Sequence, residues 1–291
     1  MRICFKGNHL GGLLVLTTLL LSHCFVAQAG GGWTYDKGKG FFKIGQNAIF
    51  GNAYFNSNGD VVDLTRSINL YTSSLYMEYG VSDRLNVILY APFFVRSTFA
   101  SAQFVQSGIV LEGDEMNAIG DINLGMKFGI IKSGPIVLSG SITFGLPLGE
   151  TSGGNTGLLM SGDGEFNQLF KLDASHSFYP VPFYVSALVG INNRTRDFSE
   201  EFHAGLEAGY TIGSLTAIMK LYNISSFYNG DASPSAGNGV FSNNTEYFSY
   251  TPELNYSFAN SLGISISAGF AFSGKRILAS PNWALGIFYE L

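Results

Sequence analysis

Along most of this chain apolar side chains recur at every second residue. Leu262, Ile264, Ile266, Ala268, Phe270 and Phe272 alternate with Gly263, Ser265, Ser267, Gly269, Ala271 and Ser273. Ile122, Leu124, Met126, Phe128 and Ile130 oppose Asp121, Asn123, Gly125, Lys127 and Gly129, and the C-terminal run Trp283, Leu285, Ile287, Tyr289, Leu291 does the same. A two-residue period places alternate side chains on opposite faces of an extended strand, whereas a helix needs a period of about 3.6. No segment after residue 30 keeps the helical period. The chain is therefore all-β.

Read end to end, the pattern gives about twelve strands, at 41–51, 69–79, 84–95, 118–130, 135–147, 165–179, 182–192, 201–212, 214–223, 245–258, 261–273 and 281–291. Their lengths, about 10–14 residues, exceed the usual 5–6 of globular sheets and suit tilted strands crossing a bilayer. The breaks alternate in size. Val81–Asp83, Ile131–Gly134, Pro180–Val181, Gly213 and Ala259–Asn260 are tight, whereas Asn52–Ile68, Arg96–Asn117, Leu148–Gly164, Asn193–Glu200, Ile224–Asn244 and Gly274–Ser280 are long and polar. Short turns on one side and long loops on the other are the mark of outer-membrane barrels. Both chain ends then fall on the short-turn side, the expected periplasmic one.

A sheet facing lipid has no water to satisfy its edges, and each unpaired backbone group in hydrocarbon costs several kcal/mol. Strand 41–51 must therefore pair with strand 281–291. The expectation is a closed antiparallel transmembrane β-barrel over 41–291, preceded by a short periplasmic segment, 30–40, that is too short for a plug domain. Alternation alone does not say which face meets lipid, because a soluble barrel has the inverse pattern. Composition decides. Only 13% of residues are charged, against roughly 25% in soluble domains, and the polar face is Gly, Ser, Thr and Asn rather than Lys and Glu. Twelve strands also enclose more space than the eight whose side chains just fill a barrel. Phe41, Phe42, Tyr79, Phe93, Phe94, Tyr179, Phe183, Trp283 and Tyr289 gather near strand ends, where interfacial girdles lie.

The start of the chain reads as an export signal. Arg2 and Lys6 precede an apolar run, Leu10–Leu21, and Ala27-Gln28-Ala29 has the small-x-small form of a cleavage site. The run is shorter than the roughly 20 residues of a membrane-spanning helix. Residues 1–29 are expected to be removed; lipidation at Cys24, within Leu21-Ser22-His23-Cys24, is the alternative. Cleavage would remove both cysteines and two bases but no acid, taking the formal net charge from −5 to −7. Thiol chemistry, disulfides and Cys/His zinc sites are then excluded, and the acidic balance argues against nucleic-acid partners.

Tyr79-Gly80-Val81-Ser82-Asp83-Arg84-Leu85, Pro92-Phe93, and Gly120-Asp121-Ile122-Asn123-Leu124-Gly125-Met126-Lys127-Phe128 resemble an outer-membrane barrel family labelled for a meta-pathway of phenol degradation and described as transporter-like. Lys39-Gly40-Phe41-Phe42 and the terminal strand fit as well. The resemblance implies an outer-membrane barrel and is weakly informative about activity. Leu291 departs from the aromatic last residue typical of such barrels.

The charged residues expected to line the lumen are Lys43, Glu78, Arg84, Asp121, Lys127, Lys171, Asp173, Glu201, Glu207, Lys220, Glu253 and Glu290, together with His203. They form either a mixed-charge pore lining that filters solutes or a salt-bridged plug. Asp83 and Arg84 also read as turn residues. No catalytic set is expected: an outer-membrane phospholipase places His and Ser two apart, and His203 has Glu201 and Gly205 at those offsets, while His176 has Ala174 and Phe178. Asp- and Asn-rich loop stretches such as Asn56–Asp60 and Gly162–Glu165 do not match the twelve-residue calcium loop. Tyr54, Phe55, Phe99, Phe104 and Phe227 could line an entrance for apolar solutes. The chain thus reads as a passive outer-membrane channel for small solutes, apolar or aromatic ones included, with a non-conducting surface barrel as the alternative. No cofactor or metal is expected. The expected partners are outer-membrane lipid, the barrel-assembly machinery through Trp283–Leu291, and a small solute; the expected state is a monomer.

Overall fold

The computed structural model of the protein describes residues 31–104, 107–231 and 240–291; the expected signal segment, with Cys24 and Ala29, lies outside them. No described residue is helical. The strands are β1 (Gly40–Phe55), β2 (Val61–Gly80), β3 (Leu85–Phe99), β4 (Ala102–Gln103), β5 (Val110–Leu111), β6 (Asp114–Ala118), β7 (Ile122–Ile131), β8 (Val137–Leu146), β9 (Asn167–Ser177), β10 (Phe183–Arg194), β11 (Glu201–Ile212), β12 (Leu215–Ser226), β13 (Glu246–Ser257), β14 (Leu262–Lys275), β15 (Ile277–Leu278) and β16 (Asn282–Glu290). Twelve of them form one antiparallel ring, β1-β2-β3-β7-β8-β9-β10-β11-β12-β13-β14-β16, which closes where β16 pairs with β1 from Phe41↔Glu290 to Ile49↔Asn282. β4 and β5 form a small loop hairpin, β6 extends the wall beyond β7 along β3, and β15 extends it along β1.

The faces are those of a membrane barrel. Ile287, Leu206 and Ile212 are 62%, 57% and 68% exposed, whereas Asn86 and Ser139 are fully buried. Along β7, Leu124, Met126 and Phe128 are exposed while Lys127 between them is buried. In water this would be the wrong way round, since apolar surface is driven inward at roughly 25 cal/mol per Å². In lipid it is the stable arrangement.

The strands differ from the sequence expectation where water replaces lipid. β1 and β2 continue past residue 51 and before residue 69 as a hairpin, closed by Asn56, whose Oδ1 accepts the amides of Asn58 and Asp60, with Gly59 at φ 90°. Beyond the membrane both faces are wet, so the ladder persists while the apolar period that reveals it lapses. The single strand expected at 118–130 is split at residues 119–121. Pro92 of β3 has no amide to donate, its carbonyl accepts the Gly120 amide, and its ring stands where a Cβ on Gly120 would clash. The strand expected at 165–179 is shortened at both ends: Glu165 turns aside to an arginine described below, and residues 178–182 form a turn.

Residues 31–39, within the segment expected to be periplasmic, run across the barrel interior at the end where β1 begins and β16 ends. Gly38 and Gly80 bond backbone to backbone, Lys132 pairs with Asp36 at 2.8 Å, Thr34 is buried beside Gly129, Trp33 packs edge-on against Tyr184, and the Gly32 amide donates to Ser175 Oγ. This strap leads from β1 to β9 and β10, halfway round the ring. Glycine is required at its far end: a Cβ on Gly32 would meet the carbonyls of Asp173 and Val137 at 2.8 and 2.9 Å.

Candidate functional site: the barrel lumen

The strand alternation that sends apolar residues outward sends the polar ones into a shared interior, where they sort into three levels. Nearest the terminal end, Lys127 Nζ donates to Glu78 Oε1 at 2.8 Å and Asn86 Nδ2 donates to the same oxygen at 2.7 Å. Both charged side chains are about 95% buried. Two unlike charges at this separation survive burial only by compensating each other. Arg84 does not join them. Its guanidinium lies at the rim and donates to the carbonyls of Gly129 and Ile130, so it locks the β2–β3 turn onto β7 and lines no lumen.

At mid-height, Lys220 sits between Glu253 at 2.7 Å and Glu207 at 4.0 Å, and Tyr184 donates to Glu207 at 2.7 Å. Lys43, Lys171 and Asp173 project into the same space; Asp173 is 95% buried. A cavity of about 110 Å³ opens here between the strap and the walls of β9 to β12, with Gly31 at its edge. Glu290 lies at the terminal end, its amide bonded to the Ser261 carbonyl.

At the loop end the organising group is Arg194, the last residue of β10. Its Nε, Nη1 and Nη2 reach Glu165, Glu201 and Asp163 at 2.7, 2.8 and 2.8 Å, and its guanidinium lies 4.4 Å from the centre of the Phe198 ring. Three carboxylates share one cation. Burial, opposed by Arg194, pushes the Asp163 carboxyl up to about 6. Glu201 also accepts from Asn192 and pairs with His203, whose other ring nitrogen meets the Tyr222 hydroxyl at 2.8 Å. Both nitrogens of His203 are thereby occupied, which fixes its ring between β11 and β12.

Glu165 and Asp163 bring the segment 147–166 inward, and two further aspartates hold it. Asp121 accepts the amides of Gly149 and Asp163, so its role is to anchor this segment rather than to face a passage. Asp114 accepts the Thr156 hydroxyl and the amides of Asn155 and Thr156; these donors, the hydroxyl foremost, hold its carboxyl down to about 2. Leu159, bridged to Gly153 within the segment, is fully buried. Of the aromatics expected at an entrance, Phe55 is buried and Phe99 lies under Arg66, while Phe104 and Phe227 are exposed. Among the described residues no group of three or more His, Cys, Asp or Glu side chains is placed to hold a metal.

Sequence reasoning missed Arg194, Glu165, Asp163, Asp114 and the strap. All but Glu165, which heads the strand expected at 165–179, lie outside the expected strands, where period carries no information, and Arg194 is about thirty residues from the acids it joins.

Solved structures share this architecture. A crystal structure of an outer membrane channel from Pseudomonas putida F1 superposes with a TM-score of 0.63 at 12% identity, covering 91% of this chain and 100% of that one. The NanC porin superposes with a TM-score of 0.54 at 8% identity, covering 86% and 100%. No family model matches the sequence and no curated protein matches it. The fold is thus that of outer-membrane barrels, which supports that part of the family resemblance; the phenol-degradation label is not confirmed.

Proposed function

We propose that the protein is an outer-membrane barrel of a Gram-negative-type bacterium, with both termini in the periplasm, and that it acts as a passive channel for small solutes. The observation that carries this reading is the inverted barrel: a closed ring with greasy residues outside and charged, hydrogen-bonding residues inside. Such an interior lowers the cost of moving a polar solute through the membrane, and its charges select among solutes. No nucleotide-binding loop is present in the sequence to drive transport, so the flow would follow the gradient. The likeness of fold to a channel and a porin agrees with this use.

A second reading, a barrel that is sealed and serves as a surface or envelope element, draws on a specific observation. The strap crosses one mouth and the segment 147–166 folds into the other, tied by Arg194. Planar-bilayer recording separates the two. The channel reading expects discrete single-channel steps from the purified protein and solute entry into liposomes. A silent bilayer together with impermeable liposomes would leave the sealed barrel.

A further inference from the structure

Most carboxylates of this lumen have a partner within hydrogen-bond distance, and Asp173, the most buried of those at mid-height, does not. Glu78 has Lys127 and Asn86; Glu207 has Tyr184; Glu253 has Lys220; Glu201 has Arg194, Asn192 and His203. Asp173 is 95% buried on the inward face of β9, yet no described residue donates a hydrogen bond to it and no cation stands within 4 Å. Lys171, two residues away on the same face, pairs with no carboxylate at that distance, and Lys127 is already held by Glu78. Lys171 and Lys127 act on Asp173 only from beyond that distance, and an ionised carboxylate removed from water without a partner in contact is costly.

The space beside it suits a counter-ion. The cavity of about 110 Å³ is lined by Asp173, Ser186, Leu188, Glu207, Lys220 and Tyr222. Two of its walls are acidic, and its one base, Lys220, is neutralised by Glu253. Leu188 and the Tyr222 ring give it an apolar side, and an aromatic face also attracts cations. We infer that this cavity is a binding site for a small organic cation, a short alkylammonium ion, whose ammonium group would be the missing partner of Asp173 and whose hydrocarbon would lie against Leu188 and Tyr222. Lys220, held between Glu253 and Glu207, would cap the site and exclude a second cation. The inference deepens the channel reading, on which it rests for passage but not for binding.

The test uses the detergent-solubilised full-length barrel and ethylammonium chloride, with ethanol as the uncharged analogue of similar size, followed by ligand-observed NMR. Saturable ethylammonium binding that ethanol does not compete away is expected. Losing a charge-assisted hydrogen bond should weaken it about ten-fold or more in Asp173→Asn. Leu188→Phe, which narrows the cavity and leaves its charge intact, should weaken it too, and serves if Asp173→Asn does not reach the folded, heat-modifiable form. No saturable binding, or equal binding in wild type and both folded variants, would overturn the site. Bilayer recording keeps the two readings apart. Binding without single-channel events would remove the channel and leave the site, whereas conductance that is not cation-selective, or whose selectivity is the same in Asp173→Asn, would refute the site's part in passage.

Discussion

At the scale of the residue, the interior is stabilised by pairing and the exterior by exposure to lipid. Lys127 and Glu78 show how tightly the first condition applies, because both are buried and each is the other's charge partner. Lys127→Met should destabilise the barrel by about 3–5 kcal/mol, since it strands the Glu78 charge, whereas Lys127→Met with Glu78→Leu should recover much of that loss; denaturant unfolding of the refolded variants measures both. Asp163 carries the pH dependence of the loop end. Its carboxyl is raised in the folded state to about 6, from the ordinary value near 3.8, so folding favours its protonated form. That contribution is complete below about 3.8 and is lost as pH rises through about 6. Wild type should therefore lose thermal stability relative to Asp163→Asn as pH climbs from about 4 to about 7. A difference between the two that does not change over this range would show that Arg194 dominates the site instead.

At the scale of the element, two segments decide how much of the lumen is open. The strap 31–39 has few backbone bonds of its own and is held by side chains of the wall: Tyr184 against Trp33, Ser175 on the Gly32 amide, Lys132 on Asp36. Removing residues 31–36 should leave the ring closed, because β1 starts at Gly40, and should raise single-channel conductance several-fold; unchanged conductance would place the narrowest point elsewhere. This element also shows where sequence reading ends. The strands crossing the membrane were legible because lipid and lumen impose opposite demands on alternate residues, so Leu206 and Glu207 reveal their faces. The strap runs from the polar interior to an exposed rim at Asp36–Lys39 and Arg194 lies at the opposite edge, and neither is subject to that opposition. The split between β6 and β7 was missed for a related reason: Pro92 breaks the ladder from the neighbouring strand, and nothing in the 118–130 pattern itself signals a partner's lost amide.

At the scale of the whole molecule, ring closure and face polarity are one arrangement. A twelve-strand ring in hydrocarbon has no free edge to satisfy, so β16 must return to β1, and its nearly unbroken ladder does so. Once closed, the alternation has one inside, and the paired charges, the cavity beside Asp173 and any passage of solutes all depend on that inside being the polar face. The two tryptophans of the chain report on the two sides: Trp283 is half exposed on the outer face, and Trp33 sits in the lumen against Tyr184. The direct measurement is fluorescence quenching in vesicles made from lipids brominated on their acyl chains, with Trp33→Phe and Trp283→Phe each leaving one reporter. The account predicts strong quenching of Trp283 and little quenching of Trp33; Trp283 emission indifferent to brominated lipid, or Trp33 quenched as strongly, would contradict it.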